Sequence, residues 1–368
     1  IMRGVRKAKP TARLGRVIRS DDQAITVQTS QGTLRVFPHA TGAASPDRSI
    51  QTGDLVSLDE TQPRLIAANR SERPLDQQDW WRLLQIAPAL RRRAELKREI
   101  REYFDSQSFL ELEPPTLSQY ASLEVHLGSI TAAVGGKAHF LQTSPEYHLK
   151  RALSGGFERI YSLGRAYRDD ESGQHHHAEF SMLEWYRTLE SLDALMADVR
   201  ALVEIAVGQP QEWTTLTVKD ALSMFSTPTE SPDEIIERLV SDVEPQLRTM
   251  GAVFLTEFPR SLASLAAIHP EKPDISLRFE AYVDGIELAN GFGELVDALE
   301  QRQRFESDQS KRHALGLPVH SIDERFLDAL HAGLPPSSGI ALGFDRLLML
   351  AVGADNLDDV TLFPPKLA

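Results

Sequence analysis

The chain has 368 residues, 41% hydrophobic and 25% charged, and contains no cysteine. Disulfides, thiolate zinc sites and cysteine nucleophiles are therefore excluded. No run approaches the roughly 18 consecutive apolar residues of a membrane span, and the basic start IMRGVRKAKP leads into polar sequence, so we expect a soluble, cytoplasmic protein without a membrane partner.

The net charge of -13 is unevenly distributed. Residues 1–70 hold 11 Lys and Arg against 6 Asp and Glu, a net charge of +5, which leaves -18 on the remainder. An acidic body repels a polyanion such as tRNA. The charges therefore argue against a nucleic-acid partner, which would have to bind through residues 1–70.

Short strands are predicted near the N-terminus, in the segments RLGRVIR, QAITVQT, TLRVF and DLVSL. They are separated by the turn-forming triplets Ser20-Asp21-Asp22, Ser30-Gln31-Gly32 and Thr52-Gly53-Asp54. We predict a small β-barrel of the OB type over residues 1–70, followed by a polar linker over residues 71–82. Such a module either binds nucleic acid or a protein, or serves only to pack and to stabilise a dimer.

A larger catalytic domain is predicted over residues 83–368. It begins with a helix from Pro88, whose apolar face consists of Leu90, Ala94, Leu96, Ile100 and Phe104. β-rich runs follow, including FERIYSLGRAYR, AEFSMLEWYR, RFEAYVDGIELANGF and SSGIALGF. Because strands and helices do not alternate regularly, we predict a mixed α+β fold with an antiparallel sheet rather than a doubly wound one.

Two helices in this domain have recognisable starts. Ser231-Pro232-Asp233-Glu234 places Ser at the N-cap and Pro at the first helical position. Ser321-Ile322-Asp323-Glu324 predicts a second capping box, and Gly333 is predicted to end that helix.

ATP, if bound, must be held without the common motifs, since neither GxxxxGKS/T nor a strand-borne GxGxxG occurs. Three segments are candidates: FLELEPP at 109–115, GRAYRDDE at 164–171 leading into HHAEFSMLEWY, and SGIALGFDRLLML at 338–350. A fixed guanidinium such as that of Arg168 can bind the α-phosphate and the attacking carboxylate, and can neutralise charge that grows in the transition state.

In this order the three segments resemble motifs 1, 2 and 3 of class II aminoacyl-tRNA synthetases. The resemblance implies an antiparallel sheet flanked by helices, activation of an amino acid by ATP with Mg²⁺, and a homodimer built on motif 1. It makes Arg168 and Arg346 catalytic. The ATP contacts that it implies are Arg168, Asp169, Asp170, Glu171, His176, His177, Phe180, Glu280, Ala281, Gly343 and Arg346.

The acidic residues near motifs 2 and 3 indicate a substrate with a second amino group. Carboxylates set for an ammonium select a diamine-type amino acid, because leaving them buried and unpaired is costly. The set resembles the lysine pocket of lysyl-tRNA synthetases, with Glu280 and Glu287 matching the metal-binding carboxylates. The substrate contacts implied are Ser144, Pro145, Glu146, Glu184, Tyr186, Glu287, Asn290, Phe292, Glu294 and Ala341.

The consecutive His175, His176 and His177 also allow a metal site with Glu179. We favour their assignment to the ATP-binding loop of motif 2, in which the family usually has Asn where His177 stands.

Residues from about 80 to 368 resemble a truncated branch of the family, the ligases that attach (R)-β-lysine to elongation factor P. SPEYHLKRAL, GIELANGF and SGIALGFDRLLMLAVGA carry this resemblance, and Ala289 and Ala341 replace glycines of the synthetases. The expected substrates are ATP and (R)-β-lysine, and the expected partner is elongation factor P. Two alternatives stay open: a compact lysyl-tRNA synthetase charging tRNA or a tRNA-like RNA, and a non-catalytic regulator that binds lysine or nucleotide.

Overall fold

The computed structural model describes residues 13–21, 24–29, 31–36, 50–58, 63–169, 172–227, 229 and 231–368. Chain contacts divide the protein into two compact units, Ile1–Leu90 and Arg91–Ala368. The predicted boundaries at residues 70 and 82 stay a prediction. Within the described residues, no helix has the length and apolar character needed to cross a membrane.

The first unit contains a five-stranded antiparallel sheet with the order β3-β2-β1-β4-β5. Alternating side chains bury Val17, Val27 and Val56 on one face. This small sheet agrees with the predicted OB-like module; the fifth strand was not predicted. The elements are β1 (Arg13–Ser20), β2 (Ile25–Thr29), β3 (Gly32–Val36), β4 (Leu55–Leu58), β5 (Pro63–Ala67) and α1 (Asp79–Gln85).

Helix α2 (Ala87–Ser106) confirms the predicted first helix. Leu96, Ile100 and Phe104 are buried, and the Phe104 ring stacks on Tyr161 at 4.5 Å between centroids. The placement of Ala94 on this face was wrong, since Ala94 is exposed. Two residues advance a helix by about 200°, which puts Ala94 opposite Leu96.

The second unit is built on a mainly antiparallel sheet with the strand order β12-β13-β16-β17-β18-β11-β10-β6. Its described strands are β6 (Leu110–Glu111), β7 (Leu117–Ser118), β8 (Thr131–Val134), β9 (Lys137–Leu141), β10 (Arg159–Tyr167), β11 (Glu179–Thr188), β12 (Trp213–Thr217), β13 (Ala252–Thr256), β14 (Ile268–His269), β15 (Lys272–Ser276), β16 (Arg278–Val283), β17 (Ile286–Gly293) and β18 (Ser337–Gly343). The four predicted β-rich runs are confirmed as β10, β11, the β16–β17 hairpin and β18.

Helices flank this sheet, as predicted. Those in the described residues are α3 (Glu146–Ser154), α4 (Leu192–Val207), α5 (Val218–Phe225), α6 (Pro232–Arg238), α7 (Glu244–Leu247), α8 (Ala298–Ala314), α9 (Glu324–Gly333) and α10 (Phe344–Val352). Helices α3, α8 and α9 share one apolar cluster with β10 and β11, whereas α5, α6 and α7 share another with β13 and β16. The elements that carry the predicted substrate residues are therefore anchored on packed cores.

The two predicted helix starts had different outcomes. Ser231 is the N-cap of α6 and Pro232 its first residue, although the Ser231 side chain makes no capping hydrogen bond. The second capping box was wrong, because the N-cap of α9 is Asp323, whose carboxylate accepts hydrogen bonds from the N–H groups of Arg325 and Phe326. Gly333 ends α9 as predicted.

Candidate functional site

Neighbouring residues on four strands form one row across the sheet. In the strand register, Glu280 of β16 lies beside Asn290 of β17. Asn290 lies beside Ala341 of β18, and Ala341 lies beside Glu184 of β11. Directly opposite residues in a sheet project from the same face. Predicted residues from widely separated parts of the sequence are therefore brought onto one surface.

A cavity of about 590 Å³ opens on this surface. Pro145, Asp169 and Ala281 do not line it, and Asp170 and Glu171 lie outside the described residues. The roles of these five residues stay predictions, as do those of the residues that line the cavity. The predicted residues that line the cavity are Ser144, Glu146, Arg168, His176, His177, Phe180, Glu184, Tyr186, Glu280, Glu287, Asn290, Phe292, Glu294, Ala341, Gly343 and Arg346.

Glu184 is a buried carboxylate in the cavity wall. The Ser144 hydroxyl donates a hydrogen bond of 2.6 Å to its Oε2, and the Tyr186 hydroxyl donates one of 2.8 Å to its Oε1. Burial raises the pKa of Glu184 to about 8, and the negative charge of Glu146 contributes in the same direction. A cation placed beside this group would favour its ionised form.

Glu294 and Glu146 share a buried cation that sequence reasoning missed. Lys150 of α3 is fully buried; its Nζ lies 2.6 Å from Glu146 Oε1 and forms a second ion pair with Glu294. Burial raises the pKa of Glu294 to about 7, although Lys150 acts to lower it. The spacing of four residues between Glu146 and Lys150 on a helix was the available signal for one of these pairs.

Gly339 gives Tyr186 and Glu294 the space that they occupy. A Cβ atom on Gly339 would overlap both the Tyr186 ring and the Glu294 carboxylate. The close approach of β18 to these side chains therefore requires glycine. Nearby, Asn290 Oδ1 is buried and accepts no hydrogen bond from a described residue, so this part of the cavity presents an acceptor to a ligand.

Two arginines mark another part of the cavity. The guanidinium of Arg168 lies 5.2 Å from the centre of the Phe180 ring. Arg346 donates hydrogen bonds to the carbonyl of Glu287 at 2.7 Å and to the carbonyl of His175 at 3.2 Å. Both cations are therefore held within the cavity that contains the acidic residues, and either can meet an anionic group.

The histidines of the motif 2 loop contact other protein groups. His176 Nε2 is hydrogen-bonded to Arg346, and His177 Nε2 lies 2.9 Å from Asp358 Oδ1. In the part of the chain that the structure describes, no group of three or more His, Asp or Glu is arranged to hold a metal ion. Asp358 was missed by sequence reasoning because it is separated from His177 by 181 residues.

Glu280 and Glu287 meet the chemical requirements for Mg²⁺, which prefers carboxylate oxygens and completes its coordination with phosphate and water. Glu280 is oriented by Arg278 and by the Tyr282 hydroxyl, each at 2.7 Å. Glu244, which sequence reasoning missed, lies near both: burial raises its pKa to about 7, helped by the charges of Glu287 and Glu280. The residues present therefore fit a divalent cation in this region.

Comparison with known proteins identifies the family. Residues 78–367 match the tRNA synthetases class II (D, K and N), and the chain belongs to this family. It is also similar to curated proteins named elongation factor P--(R)-beta-lysine ligase. The identity is 39% over 317 residues to the Vibrio cholerae protein, covering 78% of this chain and 98% of that protein. For the Salmonella gallinarum protein it is 40% over 316 residues, covering 77% and 97%, and for the Proteus mirabilis protein 40% over 317 residues, covering 78% and 97%.

Proposed function

We propose that this protein activates (R)-β-lysine with ATP and transfers the β-lysyl group to the ε-amine of a lysine on elongation factor P. The observation that carries the proposal is one cavity with buried carboxylates, Glu184 and Glu294, and with the cations Arg168 and Arg346. This arrangement suits a substrate with an ammonium group and a carboxyl group that reacts with a triphosphate. The names of the relatives supply the identity of the amino acid and of the acceptor.

The acidic residues determine which amino acid binds. Three carboxylates, Glu146, Glu184 and Glu294, lie near the buried cation of Lys150, which forms ion pairs with two of them. Transferring them from water to the protein interior is unfavourable without compensating charge. Ammonium groups of the substrate provide that charge, which favours a diamino acid over an amino acid with an apolar side chain.

In the first step a carboxylate oxygen of the amino acid attacks the α-phosphorus of ATP. The bond from that phosphorus to the leaving pyrophosphate breaks, and a β-lysyl-adenylate is formed. Arg168 binds the α-phosphate and the attacking carboxylate, the Phe180 ring stacks on adenine, and Arg346 binds the terminal phosphate. Positive charge fixed in advance stabilises the transition state without reorganisation.

Glu280 and Glu287 would hold Mg²⁺, which would neutralise phosphate charge. In the second step the acceptor ε-amine attacks the activated carbonyl carbon, the bond to AMP breaks and the amine loses a proton. The protein forms no covalent intermediate, so positioning and charge stabilisation provide the rate.

The intact mass of elongation factor P from the same organism tests this function after incubation with the protein, ATP, Mg²⁺ and (R)-β-lysine. L-α-lysine is run alongside. We expect a gain of one lysyl group, with the higher yield from the β-isomer. No gain with either amino acid, together with charging of tRNA, would instead support a compact synthetase.

Glu294→Gln tests the assignment of the pocket. It retains the shape of the side chain and removes the charge that pairs with an ammonium. We expect the KM for the amino acid in ATP–pyrophosphate exchange to rise about 10- to 100-fold, with little change in the KM for ATP. An unchanged preference among amino acids would contradict the assignment.

We further propose a homodimer and a cytoplasmic location. The dimer is supported by the motif 1 segment after α2, and light scattering on the intact chain tests it. The location is supported by the proposed substrates, ATP and a translation factor. We propose that residues 1–70 bind the acceptor protein rather than RNA, because the second unit is acidic and repels polyanions.

A further inference from the structure

Glu124 is a carboxylate in the cavity that has no role in the scheme above. It lies in the loop between β7 and β8 and lines the same cavity as Glu146 and Arg168. Burial raises its pKa, the charge of Glu146 raises it further, and Arg168 and Arg278 lower it. These influences place Glu124 among the charged groups of the site.

Glu124 differs from the neighbouring acids in lacking a partner. Glu184 accepts hydrogen bonds from Ser144 and Tyr186, and Glu146 pairs with Lys150. Among the described residues, none forms an ion pair with the Glu124 carboxylate or donates a hydrogen bond to it. Glu124 is half-buried. A partly desolvated carboxylate without a protein partner is stabilised when a ligand supplies a cation.

The backbone around Glu124 is held in place from behind. Arg312 of α8 is buried and donates hydrogen bonds to the carbonyls of Glu124 at 2.7 Å, Leu127 at 3.2 Å and Pro318 at 2.8 Å. The Nε and Nη1 atoms of this buried arginine donate to loop carbonyls and fix the loop, because breaking these bonds would leave a buried charge unsatisfied. The Glu124 carboxylate is thus presented to the cavity from a rigid support.

We propose that Glu124 is a further specificity-determining residue, which binds the substrate ammonium nearest the reacting carboxyl group. The inference rests on the proposed function, in which Arg168 marks the position of that carboxyl group and Glu184 and Glu294 take the distal ammonium. Glu124 and Glu146 then provide two carboxylates for the proximal ammonium. The position of this amine is what distinguishes a β-amino from an α-amino acid.

Glu124→Gln tests the inference in ATP–pyrophosphate exchange with (R)-β-lysine and with L-α-lysine. The probe that separates the two amines is 6-aminohexanoate, which has the distal amine and the carboxyl group but no proximal amine. We expect the kcat/KM for (R)-β-lysine to fall about 10- to 100-fold, since one charge-assisted hydrogen bond is lost. The Ki of 6-aminohexanoate as a competitor of (R)-β-lysine, and the KM for ATP, should stay within about twofold.

The matched control is Glu204→Gln, which makes the same change at an exposed position of α4 and should leave every constant unchanged. Glu124→Asp, with a carboxylate withdrawn by one methylene, should recover part of the loss. Glu294→Gln should weaken 6-aminohexanoate and (R)-β-lysine alike. This difference separates loss of the proximal contact from general damage to the pocket.

Three results would overturn the inference. One is unchanged exchange in Glu124→Gln. Another is an equal loss for 6-aminohexanoate and (R)-β-lysine. The third is normal exchange with slower transfer to elongation factor P, which would assign Glu124 to the acceptor amine. Failure of the proposed function is distinguishable, because the wild-type protein would then support no exchange with either lysine.

Discussion

Replacing Lys150 with methionine removes the buried cation that Glu146 and Glu294 share, while a flexible side chain of similar length is kept. Burial alone would lower the pKa of Lys150, but the two carboxylates outweigh it and hold the pKa above its usual value. Lys150 is therefore charged at all working pH values. Its loss removes the cation with which the carboxylates of Glu146 and Glu294 form ion pairs.

The size of the effect follows from this geometry. Removing one partner of a buried ion pair costs about 3–5 kcal/mol of unfolding free energy. Part of this loss is recovered when the carboxyl groups take up protons, because burial already raises the pKa of Glu294 to about 7. A carboxyl pKa raised in the folded state means that the folded variant binds more protons than the unfolded chain, so lower pH stabilises it. We expect the full loss at about pH 8 and a smaller loss at about pH 6.

Urea unfolding followed by far-UV circular dichroism at both pH values measures this loss. Lys137→Met is the matched control, since Lys137 is exposed at the start of β9 and should cost little. A loss below about 1 kcal/mol at both pH values, or a loss independent of pH, would refute the reasoning about Lys150.

Three other changes test separate parts of the site. Gly339→Ala should raise the KM for the amino acid at least about tenfold without changing the KM for ATP, because the added Cβ displaces Tyr186 and Glu294. An unchanged KM for the amino acid would show that these side chains can move without loss of binding. Burial raises the pKa of Glu184 to about 8 and that of Glu294 to about 7, and a bound ammonium favours the ionised forms of both. Binding of a lysine-type amino acid near pH 7 should therefore release protons, and its KM should rise as the pH falls. Calorimetry in buffers of different ionisation enthalpy measures that release, and equal binding heats would contradict it. Arg168→Ala should reduce exchange by at least about 10²-fold with an unchanged melting temperature. A wild-type rate in that variant would remove the proposed role of Arg168.

The local elements were largely predictable from the sequence. β-rich runs bounded by turn-forming residues predicted the strands of the first unit, and β-rich runs also predicted strands of the second. The irregular order of strands and helices predicted the antiparallel sheet, and the order of the motifs predicted the family. The errors were local as well. Ala94 was counted on the wrong face of α2, and Ser321 was preferred to Asp323 as the cap of α9. Alanine is compatible with an apolar helix face and serine with an N-cap. The rotation of α2 about its axis exposes Ala94, and the path of the backbone makes Asp323 the N-cap of α9.

The sequence by itself determined which residue types are available: the arginines of the second and third motifs, the acids, and the glycines of β18. Tertiary structure decided which of them meet. Lys150 joins Glu294 across 144 positions of chain, and Arg312 reaches the loop of Glu124 across 188. Such pairs depend on the register of the strands and on the docking of α3 and α8. Both are set by the packing of the whole unit, which cannot be predicted from the spacing of residues along the chain.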